Sequence, residues 1–180
     1  MPFPRPKKVD SEEELYQYAV GALSRRMRSV AELKRLLRPR VDAETEYGQT
    51  LVELVIRRLK DQGYLNDSKY ATAFSTFRRD NEKFGRMRVI TDLKAKGVHG
   101  EVIENAVTEI YGEVNDEQLA RQYLRRKRVQ KPKDQKQAAR IFRQLIRAGF
   151  GSKTIFKILK NWDVDEELLS TLENEEPSGS

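Results

Sequence analysis

The sequence predicts an all-α fold: an elongated, curved tandem array of three three-helix units of helix-turn-helix type. Three observations carry that prediction. Apolar residues recur three and four positions apart along almost the whole chain, the spacing of one helical face. Period-two runs of β-branched residues, the mark of a strand, are absent. The apolar pattern also repeats. Adding 52 to Ile90, Leu93, Gly97, Val98, Ile103 and Val107 gives Phe142, Leu145, Gly149, Phe150, Ile155 and Leu159, and adding 57 to Leu33 and Leu36 gives Ile90 and Leu93.

The elements follow in order. Residues 1–10 hold three prolines and no apolar period, and read as a disordered lead. Ser11 before Glu12-Glu13-Glu14 is a helix start: a serine hydroxyl caps free backbone N–H groups, and carboxylates favour the positive end of the dipole. Leu15, Ala19, Ala22 and Leu23 lie along that helix. Ser29 with Glu32 has the spacing of a capping box, Leu33, Leu36 and Leu37 follow on one face, and Pro39 stops the helix. Residues 40–49 are polar and read as a loop; Leu51, Val52, Val55, Ile56 and Leu59 then form a third helix, closed by Gly63.

The second unit, 65–114, opens with a cap at Asp67 or Ser68 and a stripe of Tyr70, Ala73, Phe74 and Phe77. Phe84-Gly85 breaks it. A short helix carries Val89, Ile90 and Leu93 up to Gly97, and another carries Val102, Ile103, Ala106, Val107 and Ile110 up to Gly112. The third unit, 115–163, starts at Asp116 with Leu119, Tyr123 and Leu124, turns at Lys131-Pro132-Lys133, and continues with Ala138, Ile141, Phe142 and Leu145. Gly149 closes that helix; Ile155, Ile158 and Leu159 mark the last, which ends near Trp162. Residues 164–180 read as an acidic, disordered tail, and 11–64 as the first unit. Units of about 50 residues bury little surface alone, so neighbours must stack.

Composition narrows the function. Apolar residues are 38% and charged residues 35% of the 180, which favours small helical units with wide solvated faces. There is no Cys, which excludes disulfides, thiolate metal sites and a Cys nucleophile. The single His99 excludes a His-pair metal site and follows a helix-closing glycine, where capping or solvation explains it. No phosphate-cradling glycine loop is present: Gly97-Val98-His99-Gly100 and Gly149-Phe150-Gly151 are helix ends. Phe74, Phe77, Tyr123 and Phe142 sit at core spacing. The expectation is a protein without catalytic activity, cofactor or metal. With no membrane-spanning run and no signal-peptide pattern, it is expected to be cytoplasmic and monomeric.

Charge supplies the positive signal. The net charge of +7 is unevenly spread: residues 115–162 carry +11 and residues 163–180 carry −7. Arg125, Arg126, Lys127 and Arg128 end one helix, and Lys131, Lys133 and Lys136 continue the run. Arg140, Arg143 and Arg147 form a stripe on the next helix, and Lys153, Lys157 and Lys160 form another on the last. Arg86 and Arg88 stand at a helix start, where cations oppose the dipole. Lesser basic points are Arg25, Arg26 and Arg28, Lys34-Arg35, and Arg78-Arg79. Rows of cations on a helix suit rows of phosphates or carboxylates. The acidic tail could screen the block or compete with its ligand.

Several stretches resemble the RecX regulatory proteins. They are Ala31–Leu37 (AELKRLL), Leu59–Ala71 (LKDQGYLNDSKYA), Phe84–Ile90 with Leu93–Gly97, and Leu145–Phe150 followed by Ile155. The Gly63–Asp67 element is the most specific part; Asn66 stands where the family more often has Asp, and Tyr70 where Phe is usual. The resemblance implies tandem three-helix units that bind the groove of the RecA filament on single-stranded DNA. It implies negative modulation of filament growth, ATPase, strand exchange and co-protease activity. Two other readings stay open: a sequence-independent binder of single- or double-stranded DNA, weak and salt-dependent, and a helical adaptor for another acidic partner.

Overall fold

The computed structural model describes residues 8–175. Every regular element among them is helical. The chain forms two compact units. The first comprises the residues up to Ala71 with Leu93–Ile103; the second comprises Thr72–Asp92 and the residues from Glu104 on.

The first unit contains α1 (Glu12–Arg25), α2 (Val30–Leu37), α3 (Glu46–Asp61) and the first turn of α4 (Asp67–Phe77), with the end of α5 (Arg86–Ala95) and the start of α6 (Gly100–Tyr111). Of the expected core, Leu15, Ala19, Leu33, Leu37, Val55 and Leu59 are fully buried between α1, α2 and α3, Leu23 and Leu36 are only partly buried, and Tyr16, Val41 and Leu65 join the core. Ser11 caps α1 through Glu14 N–H, and Ser29 and Glu32 form the complete capping box. Pro39 falls in a 3₁₀ turn, Arg38–Arg40, directly after α2.

Two local expectations are corrected here. The loop is shorter than 40–49, because Thr45 caps a helix that starts at Glu46. Of the expected lead, residues 1–7 lie outside the described residues, whereas 8–10 are tied down: Val9 N–H donates to Arg40 O at 2.7 Å, and Asp10 O accepts from the Tyr47 hydroxyl at 2.8 Å.

The second unit holds the rest of α4, a π-helical turn at Arg78–Glu82, the start of α5, most of α6, then α7 (Asp116–Arg126), α8 (Gln135–Arg147), α9 (Ser152–Lys160) and α10 (Glu166–Glu175). α7 and α8 both pack on α9, and α10 packs on α8 and α9. Phe142, Leu145, Ile155, Ile158 and Leu159 are fully buried among them.

Three expectations change in this region. Asn66, rather than Asp67 or Ser68, caps α4 by accepting from Lys69 N–H, while α7 opens at Asp116 as expected, with Asn115 capping it by accepting from Gln118 N–H. Asp67 instead accepts from Val30 N–H at 2.8 Å. On α4 the buried side chains are Tyr70, Ala71 and Ser75, while Ala73 is exposed and Phe77 is 53% exposed. Phe77 falls where α4 gives way to the π turn, and the inward place there is taken by Arg78, whose guanidinium covers the Phe74 and Phe84 rings. Finally, the stretch read as a disordered tail contains α10, capped by Asp165 and anchored by the buried Leu169 and Leu172, while residues 176–180 lie outside the described residues.

A candidate basic surface on the second unit

All fifteen basic residues singled out from the sequence lie in the second unit, and all fifteen are exposed. Local rules explain how each is held. The last turn of α7 presents Arg125 and Arg126, and Lys127 is its C-cap. Arg128 then adopts φ 54, and Val129 N–H reaches back to Leu124 O at 2.9 Å, which closes the helix with a left-handed residue. Lys127 Nζ lies 5.8 Å from the Tyr123 ring centre. Arg126 Nη1 donates to Asn81 O at 2.6 Å, which joins the end of α7 to the π turn.

The chain then turns. Lys131 pairs with Asp163 and holds that carboxyl below its usual range. Lys133 N–H is taken by Gln137, and Asp134 caps α8. At 3.6 residues per turn, Lys136, Arg140, Arg143 and Arg147 share one face of α8, opposite the buried Ala138, Ile141, Phe142 and Leu145. They cover about 16 Å of helix axis. Lys153, Lys157 and Lys160 likewise stand opposite Ile155, Ile158 and Leu159 on α9. Lys157 reaches Glu117 at 2.7 Å; with Arg121 it draws that carboxyl's pKa down.

Arg86 and Arg88 join this surface through the backbone. Gly85 N–H donates to Ala148 O at 2.8 Å, and Met87 N–H donates to Gly149 O at 3.3 Å. The N-terminus of α5 thus abuts the carbonyl end of α8. This explains two cations where the α5 dipole alone disfavours them: the negative end of α8 faces them. Arg88 also pairs with Asp92 at 3.1 Å and sits 5.6 Å from the Phe84 ring.

The lesser basic points divide differently. Arg78 is a structural cation, bound to Glu82 at 2.8 Å and to Asp92 at 3.1 Å. Arg79 holds Asp80 and donates to Ile110 O. Lys34 is paired with Glu53. Within the first unit, Arg58 stacks 3.7 Å from the Tyr16 ring centre and pairs with Glu13, and Arg40 stacks on Tyr18. Among the described residues no cluster of three His, Asp or Glu could hold a metal, and no helix is long and apolar enough to cross a membrane. The exposed Phe77 was missed from sequence because its spacing is that of a core residue.

The arrangement is that of an all-helical protein that presents exposed cations on rigid elements. A family model for the second three-helix domain of RecX matches residues 66–107. The chain is 33% identical over 161 residues to "Regulatory protein RecX" of Bacillus pumilus, covering 88% of this chain and 59% of that protein. It is 31% identical over 159 residues to "Regulatory protein RecX" of Mycobacterium leprae, covering 87% of this chain and 90% of that one. It spans 58% of the Halalkalibacterium halodurans relative. The fold is similar to the crystal structure of RecX from Lactobacillus salivarius, with TM-score 0.64 at 20% identity, covering 84% of this chain and 96% of that one. The chain belongs to the RecX family of regulatory proteins.

Proposed function

We propose that this protein binds the RecA filament on single-stranded DNA and restrains it, acting as a cytoplasmic monomer without catalysing a reaction of its own. Filament growth, ATPase, strand exchange and co-protease activity are the outputs it lowers. Family membership supports RecA as the partner. The observation that carries the reading is the exposed basic surface of the second unit, above all Lys136, Arg140, Arg143 and Arg147 on α8. Those side chains are held by a helix whose opposite face is core, so little ordering is needed for them to meet a row of phosphates or carboxylates. The remaining contacts are assigned to Arg125, Arg126, Lys127, Arg128, Lys133, Lys153, Lys160 and Arg86. Lys131, Lys157 and Arg88 also belong to this surface, each paired with a carboxylate. We read the chain as three three-helix units, 11–64, 65–114 and 115–163.

The test is RecA ATPase on single-stranded DNA with substoichiometric protein, together with filament co-sedimentation. A fall in ATPase is expected. The triple charge reversal Arg140→Glu, Arg143→Glu, Arg147→Glu should weaken filament binding at least tenfold. Unchanged ATPase and no co-sedimentation reject the reading, and unchanged affinity in the triple variant rejects the α8 stripe. Equal binding to DNA with no effect on RecA would leave a plain DNA binder.

A further inference from the structure

We propose that Phe77 is a stacking platform for an unpaired nucleobase, with Arg126 beside it for the flanking phosphate. The proposal rests on the reading of the second unit as a surface that meets single-stranded DNA, and adds to it a contact that charge alone does not provide.

The first observation is exposure. Phe77 is 53% exposed, although Phe142 is fully buried and Phe74 lies under Arg78. The second is the segment it introduces. Directly after Phe77 come a π-helical turn and then Lys83 at φ 60, two uncommon backbone conformations in seven residues. π turns and left-handed residues other than glycine persist where the surroundings hold them, and cluster at functional sites. Here they are held firmly. Arg78 is pinned by Glu82 and Asp92, and the Tyr111 hydroxyl donates to Phe84 O at 2.9 Å. The third is the neighbourhood. Asn81 donates its side-chain amide to Phe77 O and accepts Arg126 Nη1 on its own carbonyl, so the end of α4 is joined through one residue to the cationic end of α7. Arg125, Lys127 and Arg128 flank that junction in sequence and are exposed.

An aromatic ring open to solvent, on an element joined through Asn81 to a backbone-anchored arginine, has the parts that bind unpaired nucleic acid. Every base offers a π-face, so the ring adds affinity without sequence preference, and the cations track the phosphates. A duplex keeps its bases stacked on one another and gains only the charge term. The site therefore favours single strands.

The experiment is fluorescence anisotropy at low salt, on the full chain, with a labelled dT oligonucleotide and with one of equal length carrying abasic positions. The wild-type protein should prefer dT. Phe77→Ala should bind dT about tenfold more weakly and lose the preference for bases. Phe77→Tyr, which keeps the ring, should restore it. Arg126→Ala should weaken both oligonucleotides equally and lower the salt slope by about one. Circular dichroism melts check that the variants fold. Equal wild-type affinity for both oligonucleotides, undetectable binding of dT, or a base preference that survives Phe77→Ala overturns the proposal. Loss of RecA-filament binding with unchanged dT affinity would make Phe77 a protein contact and also overturn it. RecA inhibition is read separately by the ATPase, so either conclusion can fail while the other stands.

Discussion

Gly149 is pressed against the backbone of Arg88: a side-chain carbon on Gly149 would collide with Arg88 N and Cβ and with Gly85 O. In the first unit Gly97 meets Ala31 in the same way, with an added carbon only 2.5 Å from Ala31 Cβ. The correspondence follows the sequence repeat, since Gly97 plus 52 is Gly149 and Ala31 plus 57 is Arg88. The hydrogen-bond acceptors correspond too, since Lys96 plus 52 is Ala148, with the donors one position out of register. Ser29 Oγ donates to Lys96 O at 2.6 Å, one residue before Gly97, and Gly85 N–H donates to Ala148 O, one residue before Gly149. The repeat is thus a repeated docking geometry, in which the turn glycine of one helix pair seats the start of an earlier helix.

Gly149→Ala should therefore cost stability twice. Gly149 has φ 91, which an L side chain adopts at a cost of about 1–2 kcal/mol, and the added methyl must displace backbone for roughly 1–3 kcal/mol more. Urea unfolding should show a loss of about 2–5 kcal/mol. Gly63→Ala is the control: φ is 75 but nothing lies within 4 Å of the added carbon. Its loss should be limited to the conformational part, and equal losses at the two positions would argue against close packing at Gly149.

The helices and most of the core were legible because amphipathic spacing and capping residues are local signals. The dockings were not, since a glycine that ends a helix and a glycine that seats a neighbour look alike in sequence. Phe77 misled because periodicity describes a face and says nothing about where the neighbouring elements stop. The basic residues are evident by type, whereas only the folded structure shows that Lys131, Lys157 and Arg88 face carboxylates and that Arg86 and Arg88 join the end of α8.

The acidic segment hid α10 for a related reason. Its charge reads as disorder, but Val164-Asp165-Glu166 repeats the pattern Leu65-Asn66-Asp67 and Val114-Asn115-Asp116, with the cap at the central residue each time. α10 thus corresponds to α4 and α7 and covers α8 and α9 with Leu169 and Leu172. Leu169→Ala should cost roughly 2–5 kcal/mol in urea unfolding. A loss below about 0.5 kcal/mol would mean that α10 contributes nothing to the unit.

Acid should loosen the first docking. Burial alone would raise the Glu32 carboxyl, but hydrogen bonds from Ser29 N–H, Lys96 and Tyr70 outweigh it and hold its pKa below the ordinary 4.5. A carboxyl depressed in the folded state stabilises above its unfolded pKa, and the contribution is lost as pH falls through the folded value. Stability should therefore drop below about pH 4.5 more steeply in the wild type than in Glu32→Gln, measured by thermal melts across that range. Parallel curves would show that the network carries no net stabilisation. The Tyr70 phenol is pushed up by burial and by Glu32, so it stays a neutral donor throughout.

Arg128 separates stability from binding. It ends α7 in the left-handed region, the conformation that Gly63, Gly97 and Gly149 adopt at other helix ends. A side chain there costs about 1–2 kcal/mol, partly offset because glycine loses more freedom on folding. Arg128→Gly should raise unfolding stability by about 1 kcal/mol or less. The same change removes one exposed cation from the end of α7, so affinity for single-stranded DNA should fall and the salt slope should shrink by about one. A more stable variant that binds less tightly would mean that the arginine is kept for its charge at a conformational cost. A more stable variant with unchanged affinity and salt slope would remove Arg128 from the binding surface.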